Sequence, residues 1–391
     1  MPDVFISRQP LVNRQSKIIA NRLSLHAING ASTRDAVAAL DALVEFWPQG
    51  EKLVFINSAN LPFDAALPEW QAPANATLEV PAASLTGSDA SGLIAALQST
   101  ATPLCLIYDP QAPAALTAGV PFRFIGFDAQ AQTPAQLKAL AAQTQPHGIG
   151  VAFNVEGTQS FQSCLDAGLI AAASWFFKSP TQAPAKTLNA GQTQIIRVIN
   201  LVRKNADIKE IETALKQDVA LSYKLLRYIN SAGFGLSCEI QSFRHAVTIL
   251  GYDKLNKWLS LLLATASKDP MAPALMHTSL TRARLMETLA HGLVSAQEYD
   301  NLFITGAFSL LDALLGVSMD KVLETMSLPE AITDALLGHG GLYGPFLELA
   351  KASEGNDGAA IAEQAGMLGL SAEQFNRAQI QALAFAETME L

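Results

Sequence analysis

Short apolar runs alternate with helix-like segments through the first 180 residues or so of the chain. Runs rich in β-branched and aromatic residues predict strands, and apolar residues at helical spacing between many of them predict helices. The predicted strands are Val4–Ile6, Lys17–Leu25, Leu53–Ile56, Ala76–Val80, Leu104–Tyr108, Phe122–Phe127, Ile149–Asn154 and Ala172–Phe177. The predicted helices are Ser32–Trp47, Asp89–Gln98, Thr133–Gln143 and Gln159–Ala167.

Strands that alternate with helices are typical of parallel βα units. The number of strand runs predicts a closed βα barrel, whose functional face is formed by the C-terminal ends of the strands. About 180 residues is short for such a barrel, so some helices must be abbreviated or missing. The pattern alone leaves an open doubly wound sheet as an alternative.

The second half is helical in pattern, and its helices end at glycines. Asp207 precedes an apolar stripe and stands three residues before Glu210, which predicts an N-cap with a capping box. A second helix, with apolar positions from Val219 to Ile229, runs into the two glycines of Asn230–Gly235, and a third ends at Gly251. The pattern therefore predicts an all-helical domain of short helices.

Composition adds a charge asymmetry to this picture. The 391 residues carry a net charge of −9, yet residues 191–263 contain 10 basic and 6 acidic side chains, whereas residues 264–391 contain 6 and 16. Clustered cations can attract an anionic partner. Acidic residues alternate with the basic ones, and no interleaved aromatic residues suggest stacking on nucleic-acid bases. We therefore favour a solvated helix face over a nucleic-acid surface. The candidate basic interaction surface is Arg203, Lys204, Lys209, Lys216, Lys224 and Arg227.

The chain ends and the cysteines bear on location and cofactors. The first residues form neither a basic n-region nor a long apolar core, and no stretch is long and apolar enough to span a membrane. Three scattered cysteines fit a reducing compartment and neither a disulfide framework nor a zinc site. We therefore expect a cytoplasmic protein with no cofactor.

The helical half resembles the bacterial HDOD domain. The resemblance rests on Asp218–Gly235, which contains Asn-Ser-Ala-Gly-Phe-Gly, on Ile240–Gly251, which contains Ala-Val-Thr-Ile-Leu-Gly, and on Trp258–Leu262. It implies an all-helical regulatory domain related to the HD phosphohydrolases but lacking their metal-binding set. In keeping with this, Leu311 precedes Asp312 where an HD enzyme would carry a His-Asp pair.

The first half resembles the EAL domain, a barrel that hydrolyses cyclic di-GMP with carboxylates that hold two divalent metals. The matching pieces are Ser7–Val12, Phe55–Ser58, Leu78–Val80, Phe124–Asp128 and Trp175–Pro180. The resemblance implies a multidomain protein with a degenerate, TIM-like α/β barrel over residues 1–180, a linker over 181–192 and an all-helical HDOD domain over 193–391.

The phosphodiesterase signature of the EAL family is eroded in this chain. The Glu of the name-giving motif falls on Arg22, the phosphate-binding Arg on His26, and one of two paired acids on Tyr108. The family's strand lysine falls near Gly126, its later Glu and catalytic Lys fall on Phe153 and Asn154, and a Gln becomes Ala173. The remnant of the pocket is Asn57, Glu79, Asp109 and Asp128.

Two metals and a phosphate need several carboxylates together, and Arg22 brings a positive charge to that place. We therefore predict a protein without catalytic or metal-binding residues, which acts in signal transduction by binding a signalling or regulatory protein. The EAL resemblance links it to cyclic di-GMP signalling and leaves two alternatives open: a cyclic di-GMP receptor, or a residual cyclic di-GMP phosphodiesterase.

Overall fold

A computed structural model describes residues 3–87, 90–178, 187–217, 240, 242–264, 267 and 269–389, with the backbone alone at 216, 253, 258 and 264. The chain forms two compact units. Unit 1 contains residues Met1–Ser179 and Lys351–Ile380, and unit 2 contains Pro180–Ala350 and Gln381–Leu391. None of the helices in the described ranges combines the length and the apolar character that crossing a bilayer requires.

Unit 1 is built on a closed barrel whose strands neighbour one another in sequence order. The strands are β1 (Asp3–Asn13), β2 (Ile18–Ile28), β3 (Leu53–Asn57), β4 (Ala76–Pro81), β5 (Leu104–Ile107), β6 (Phe124–Asp128), β7 (Ile149–Phe153) and β8 (Ala171–Ala173). Closure confirms the predicted barrel over the open sheet. The successive pairs from β2 to β8 are parallel, and β1 is antiparallel to both β2 and β8.

The antiparallel direction of β1 differs from the uniform βα pattern that the sequence predicted. Only residues 14–17 separate β1 from β2, and Ser16 lies in the left-handed region with φ of 59°. A parallel crossover needs a dozen or more residues, so this short connection can close only a hairpin.

The helices of the barrel are few and short, as its length required. They are α1 (Thr33–Asp41), α2 (Ala90–Ser99), α3 (Pro134–Thr144) and α4 (Gly157–Asp166). Ser32 and Asp35 form a capping box on α1, and Thr133 and Gln136 form one on α3. Single 3₁₀ turns lie at Val44–Phe46, Ala82–Leu85, Pro113–Thr117, Gln145–His147 and Phe176–Lys178.

Among the residues that the structure describes after the barrel strands, the regular elements are helices, which confirms the predicted class of the second half. Its helices are α5 (Ala190–Arg203), α6 (Ile208–Lys216), α7 (Phe243–Ala264), α8 (Ala272–Leu289), α9 (Tyr299–Phe308), α10 (Leu311–Leu315), α11 (Met319–Glu324), α12 (Glu330–Leu337), α13 (Gly344–Ala352), α14 (Gly358–Met367) and α15 (Ala372–Thr388), with a 3₁₀ turn at Ala296–Glu298.

Two of the predicted helix termini of the second half lie within the described residues. Asp207 caps α6 as predicted, but its side chain accepts from the N–H of Lys209 rather than pairing with Glu210. Gly251, with φ of 73°, breaks α7 where the sequence predicted a helix end. The predicted helix Val219–Ile229 and the glycines after it lie outside the described residues.

Two features differ from the predicted division at 1–180, 181–192 and 193–391. Asn189 and Gln192 form a capping box at the start of α5, so the last residues of the predicted linker are helical. Residues 351–380 belong with the barrel rather than with the helical unit. Their position has a physical reason. Strand β1 pairs with the short strand β8 only at Leu11–Asn13, so the backbone groups on the same edge earlier in β1 need another partner.

That partner is the side chain of Asn376 on α15. Its Oδ1 accepts from the N–H of Ile6 at 3.0 Å, and its Nδ2 donates to the carbonyl of Val4 at 2.7 Å. The N–H of Arg8, on the same edge of β1, donates to the carbonyl of Ser353 at 2.8 Å. One amide group thus replaces a neighbouring strand and covers an edge that would otherwise be open.

Candidate functional site

The interior of the barrel is a packed core. The Phe55 ring meets the Phe124 and Phe153 rings edge-on, with centroids 5.2 and 6.0 Å apart. Such stacking of inward side chains makes a βα barrel a filled structure rather than a pore. The buried cluster consists of Leu11, Ala20, Phe55, Cys105, Phe124, Val151, Phe153, Ala171 and Ala173.

An ion pair lies among the inward side chains of β2 and β4. Arg22 follows Ala20 on the same face of β2, since alternate strand residues share a face. Its Nε and Nη2 donate to the Glu79 carboxylate at 2.8 and 2.7 Å. The Arg22 side chain is 9% exposed and that of Glu79 is 0% exposed. This two-pronged geometry is the strongest form of a guanidinium–carboxylate contact.

Neighbouring groups complete the environment of Glu79. The Nδ2 of Asn57, at the end of β3, donates to Glu79 Oε2 at 2.8 Å. Cys105 is fully buried nearby, and its thiol pKa is raised well above the usual value, first by burial and then by the Glu79 charge, while Arg22 opposes the rise. The Glu79 carboxylate is therefore fully engaged by one cation and one amide.

The Phe153 ring fills the space beside Arg22. The guanidinium carbon of Arg22 lies 4.3 Å from the centroid of this ring, a cation–π contact. The ring fits because Gly126 faces it without a side chain. A Cβ at Gly126 would lie 2.5 Å from Phe153 Cε2 and 2.9 Å from Ile107 Cδ1. The three departures from the EAL signature at positions 22, 126 and 153 thus pack against one another.

The other two predicted pocket residues have separate partners. Asp128 ends β6, where Oδ1 accepts from the N–H of Gln130 at 2.9 Å and Oδ2 from Asn154 Nδ2 at 2.9 Å. Asp109 follows β5 and accepts from the N–H of Gln111 at 2.8 Å. The structure therefore joins Asn57 to Glu79 directly and places Asp109 and Asp128 in turns that their own carboxylates stabilise.

Among the residues that the structure describes, no three or more His, Cys, Asp or Glu side chains are grouped so that they could hold a metal ion. The donor set around Glu79 is a guanidinium and an amide N–H, both of which donate hydrogen bonds. A divalent cation needs oxygen ligands that accept its charge. The residues present at Glu79 therefore do not fit a metal while Arg22 remains paired.

His26 occupies the place that the resemblance assigns to a phosphate-binding arginine. It is buried, and its Nε2 lies 2.8 Å from the Ser7 hydroxyl oxygen. Gly358, at the start of α14, packs directly on it: a Cβ there would lie 2.3 Å from the Cβ of His26. Burial lowers the pKa of His26, and the Asp357 charge opposes this shift. His26 is thus a covered side chain whose neutral form is favoured by burial.

A cleft of about 510 Å³ opens beside the ends of β7 and β8. Trp175 forms one wall, with Lys178 Nζ 4.3 Å from its ring centroid and the guanidinium carbon of Arg8 5.4 Å away. Lys178 also pairs with the buried Glu354 at 2.7 Å. The other lining residues are Gln9, Gln130, Asn154, Val155, Glu156, Gly157, Ala173, Ser174, Phe176 and Asn356.

Unit 2 contains a charged cluster that sequence reasoning missed. Lys257 on α7 bonds Glu287 on α8 and lies 3.3 Å from Asp300 on α9. Arg284 Nη1 donates to Glu287 at 2.7 Å, and Lys257 Nζ lies 4.0 Å from the Phe303 ring centroid. The residues come from three helices at unrelated spacings, so no local motif marked them. The ammonium group of Lys257 and the guanidinium of Arg284 balance the two carboxylates of the cluster.

The predicted basic surface is described only in part. Lys204 is exposed at the end of α5, and Arg203 Nε donates to the carbonyl of Ser327 at 2.9 Å. Lys209 is exposed on the first turn of α6. The side chain of Lys216 is not described, and Lys224 and Arg227 lie outside the described residues. The surface as a whole therefore stays a prediction.

Comparison with known proteins identifies the helical domain. Residues 187–324 match the HDOD domain family, which confirms the HDOD prediction over most of unit 2. The chain is 29% identical over 233 residues to the cyclic di-GMP phosphodiesterase CdgJ of Vibrio cholerae, covering 59% of this chain and 54% of that protein.

A second relative is the uncharacterized protein YuxH of Bacillus subtilis, 28% identical over 213 residues, which are 54% of this chain and 52% of that protein. The chain spans about half the length of the curated relatives it matches. Among solved structures, the c-di-GMP-bound EAL domain of FimX from Pseudomonas aeruginosa matches with a TM-score of 0.35 and 13% identity, covering 45% of this chain and 90% of that domain.

Proposed function

We propose that this chain is a non-catalytic signal-transduction protein, linked to cyclic di-GMP signalling, that acts by binding another protein. The ion pair between Arg22 and Glu79 is the observation that supports the absence of catalysis. The HDOD domain supports a regulatory role, and the name of the Vibrio cholerae relative supports the link to cyclic di-GMP.

Metal-assisted hydrolysis of a phosphodiester needs cations that bind the phosphate and lower the pKa of a water molecule. At Glu79 the guanidinium of Arg22 supplies the positive charge in place of a cation. A cation that bound Glu79 would have to displace Arg22 and leave the buried guanidinium without its partner, which opposes metal binding. A guanidinium has no coordination position for a water molecule, so Arg22 cannot generate a nucleophile as a bound metal does.

The rival function is phosphodiesterase activity, because the Vibrio cholerae relative is named a cyclic di-GMP phosphodiesterase. The test is incubation of the full chain at micromolar concentration with cyclic di-GMP and Mg²⁺ or Mn²⁺, with an active EAL enzyme assayed in parallel. We expect no metal-dependent product. Turnover that requires the metal and disappears in Asp128→Asn or Glu79→Gln would establish the rival and overturn our proposal.

The second alternative is a cyclic di-GMP receptor, and the cleft beside Trp175 is the observation that favours it. An indole face and several amide side chains can stack on and hydrogen-bond a nucleobase. Against this, the residues that line the cleft include the acid Glu156 and no Lys or Arg, and Lys178 beside Trp175 is paired with Glu354, so the lining does not favour phosphates. We expect calorimetry with cyclic di-GMP at concentrations well above micromolar to show no binding. Binding heat that is lost in Trp175→Ala would favour the receptor.

A further inference from the structure

A groove of about 810 Å³ runs along one face of α5 in unit 2. From α5 it is lined by residues at intervals of three and four, which is the spacing of a single helix face. The opposite wall is α11 with the residues on either side of it. The lining residues are Thr187, Leu188, Thr193, Ile196, Arg197, Asn200, Leu201, Lys204, Val317, Lys321, Glu324 and Thr325.

The two walls are fixed to each other by Asn200. Its Nδ2 donates to the carbonyl of Thr325 at 2.9 Å, and its Oδ1 accepts from the N–H of Ser327 at 2.9 Å. Arg203, one turn further along α5, donates from Nε to the carbonyl of Ser327. These bonds tie the two walls of the groove together, and a connection already present in the free protein lowers the ordering cost of binding.

The floor and the rim of the groove differ in chemistry. Leu188 and Leu201 are half-buried and supply the accessible apolar surface, whereas Ile196 and Val317 are almost fully buried. The rim carries three cations and one acid: Arg197, Lys204, Lys321 and Glu324. Arg197 donates to a neutral amide oxygen, that of Gln217, at 3.0 Å. The rim thus has an excess of positive charge.

The length of the groove along α5 matches that of a short helix. Thr193 and Lys204 are separated by eleven residue rises, or roughly 16 Å along the axis of α5. A helix of about three turns has that length. Helix-in-groove recognition uses apolar residues at helical spacing, and charged residues on the flanks of the bound helix meet charges on the rim.

We propose that this groove binds an acidic amphipathic α-helix of a partner protein, with the apolar face of that helix on Leu188 and Leu201 and its carboxylates facing Arg197, Lys204 and Lys321. This inference rests on the proposed function, since it names the chemistry of the protein partner. No aromatic side chain is among the lining residues, so the groove does not offer the stacking surface that single-stranded nucleic acid uses.

The experiment uses the full chain and a fluorescein-labelled synthetic peptide of fourteen residues or so, with Leu on one helical face and Glu on the other. Two matched peptides replace every Glu with Lys or scramble the order of the residues. Fluorescence anisotropy at several salt concentrations measures affinity. We expect the acidic peptide alone to bind, more weakly at higher salt because screening reduces the attraction.

The variant Lys204→Glu/Lys321→Glu reverses two rim charges at exposed positions. We expect it to weaken binding of the acidic peptide about tenfold or more, since like charges then face each other. Lys138→Glu, an exposed lysine on α3 of unit 1, is the control and should bind as the wild type does. Circular dichroism establishes that each variant is folded.

Equal binding of the acidic and scrambled peptides, or unchanged binding by the double variant, would overturn the proposal. So would a chain that dimerises through the same residues, or tighter binding of a single-stranded oligonucleotide than of the peptide. The peptide assay contains no cyclic di-GMP, so a negative result would not bear on the proposed lack of hydrolysis. Measured hydrolysis, conversely, would overturn the proposed function without changing the peptide result.

Discussion

Arg22 donates hydrogen bonds to both carboxylate oxygens of Glu79 inside the barrel, from Nε to Oε1 at 2.8 Å and from Nη2 to Oε2 at 2.7 Å. The two side chains lie on β2 and β4, with Asn57 of β3 donating to the same carboxylate. The guanidinium of Arg22 supplies positive charge beside Glu79, as a metal ion would, but it has no position for a water or substrate ligand. The pair thus gives each buried charge a partner and supports the proposed lack of metal chemistry.

Removing the cation should destabilise the barrel. We expect Arg22→Met to lose about 3–5 kcal/mol in the free energy of unfolding, because a buried carboxylate is left without its partner. The double variant Arg22→Met/Glu79→Leu should recover most of that loss, since an apolar pair of similar volume is often neutral. Urea unfolding followed by tryptophan fluorescence measures both.

Arg14→Met is the control for this prediction. Arg14 pairs with Asp166 at 3.4 Å, and both side chains are more than half exposed. An exposed pair of this kind contributes at most about 1 kcal/mol. Equal losses for Arg14→Met and Arg22→Met would contradict the structural role of the buried pair.

The packing of Phe153 over Gly126 makes a second prediction. A methyl group at Gly126 would overlap the Phe153 ring, so Gly126→Ala should cost about 1–3 kcal/mol of stability. Phe153→Leu should relieve much of that cost in the double variant. Gly92→Ala is the matched control: a Cβ there meets nothing within 4 Å, and helix α2 should gain about 0.5–1 kcal/mol. Thermal unfolding compares the variants, and a harmless Gly126→Ala would contradict the close contact.

The third prediction concerns the edge of β1. Asn376→Leu removes the partner of the Ile6 N–H and the Val4 carbonyl, both buried, and each group left unsatisfied costs about 1–3 kcal/mol. We expect a lower unfolding midpoint and faster aggregation, because an open edge can pair with another chain. Glu373→Leu, an exposed position on the same helix, should change the midpoint little. Identical behaviour of the two variants would argue against the edge-covering role.

His26 makes stability depend on pH in a defined direction. Burial lowers its pKa below the ordinary value of 6.5, so below about pH 6.5 the unfolded chain binds a proton that the folded chain does not. Stability should therefore fall as the pH is lowered from 6.5 towards the folded pKa, and should not change with this group above pH 7 or so. Because carboxylates also titrate in acid, unfolding of His26→Asn is measured alongside the wild type. A wild type that loses no more stability than the variant between about pH 6.5 and 5 would contradict this prediction.

Much of the fold could be predicted because the signals are local. The predicted strands match β2 to β7 to within three residues at each end, and Gly251 marked the break in α7. The predicted first strand, Val4–Ile6, stopped seven residues before the end of β1, and the predicted last strand ran four residues past the end of β8. The antiparallel direction of β1 was not predicted, because strands in a hairpin and strands in a parallel pair show the same alternation of side chains between two faces. The return of residues 351–380 to the barrel depends on one amide, that of Asn376, which carries no sign of its distant partners in the sequence.

The candidate site shows the same limit. The sequence placed Arg22 at a metal-binding position and named Glu79 as a remnant, yet it gave no sign that the two side chains would bond. Gly126 and Phe153 each looked like a separate loss. Their complementarity is a property of three strands in register, and Lys257 with Glu287 similarly unites two helices. The assignment of Asn57, Asp109 and Asp128 to a remnant pocket stays a prediction.

The claim that Arg22 stands in for a cation beside Glu79 is tested most directly by titrating the full chain with Mn²⁺ and measuring free Mn²⁺ by electron paramagnetic resonance, with Glu79→Gln in parallel. We predict that wild type and Glu79→Gln leave the same amount of Mn²⁺ free at every addition. Stoichiometric Mn²⁺ binding by the wild type that is lost in Glu79→Gln would contradict the claim, because it would mean that Glu79 exchanges Arg22 for a metal.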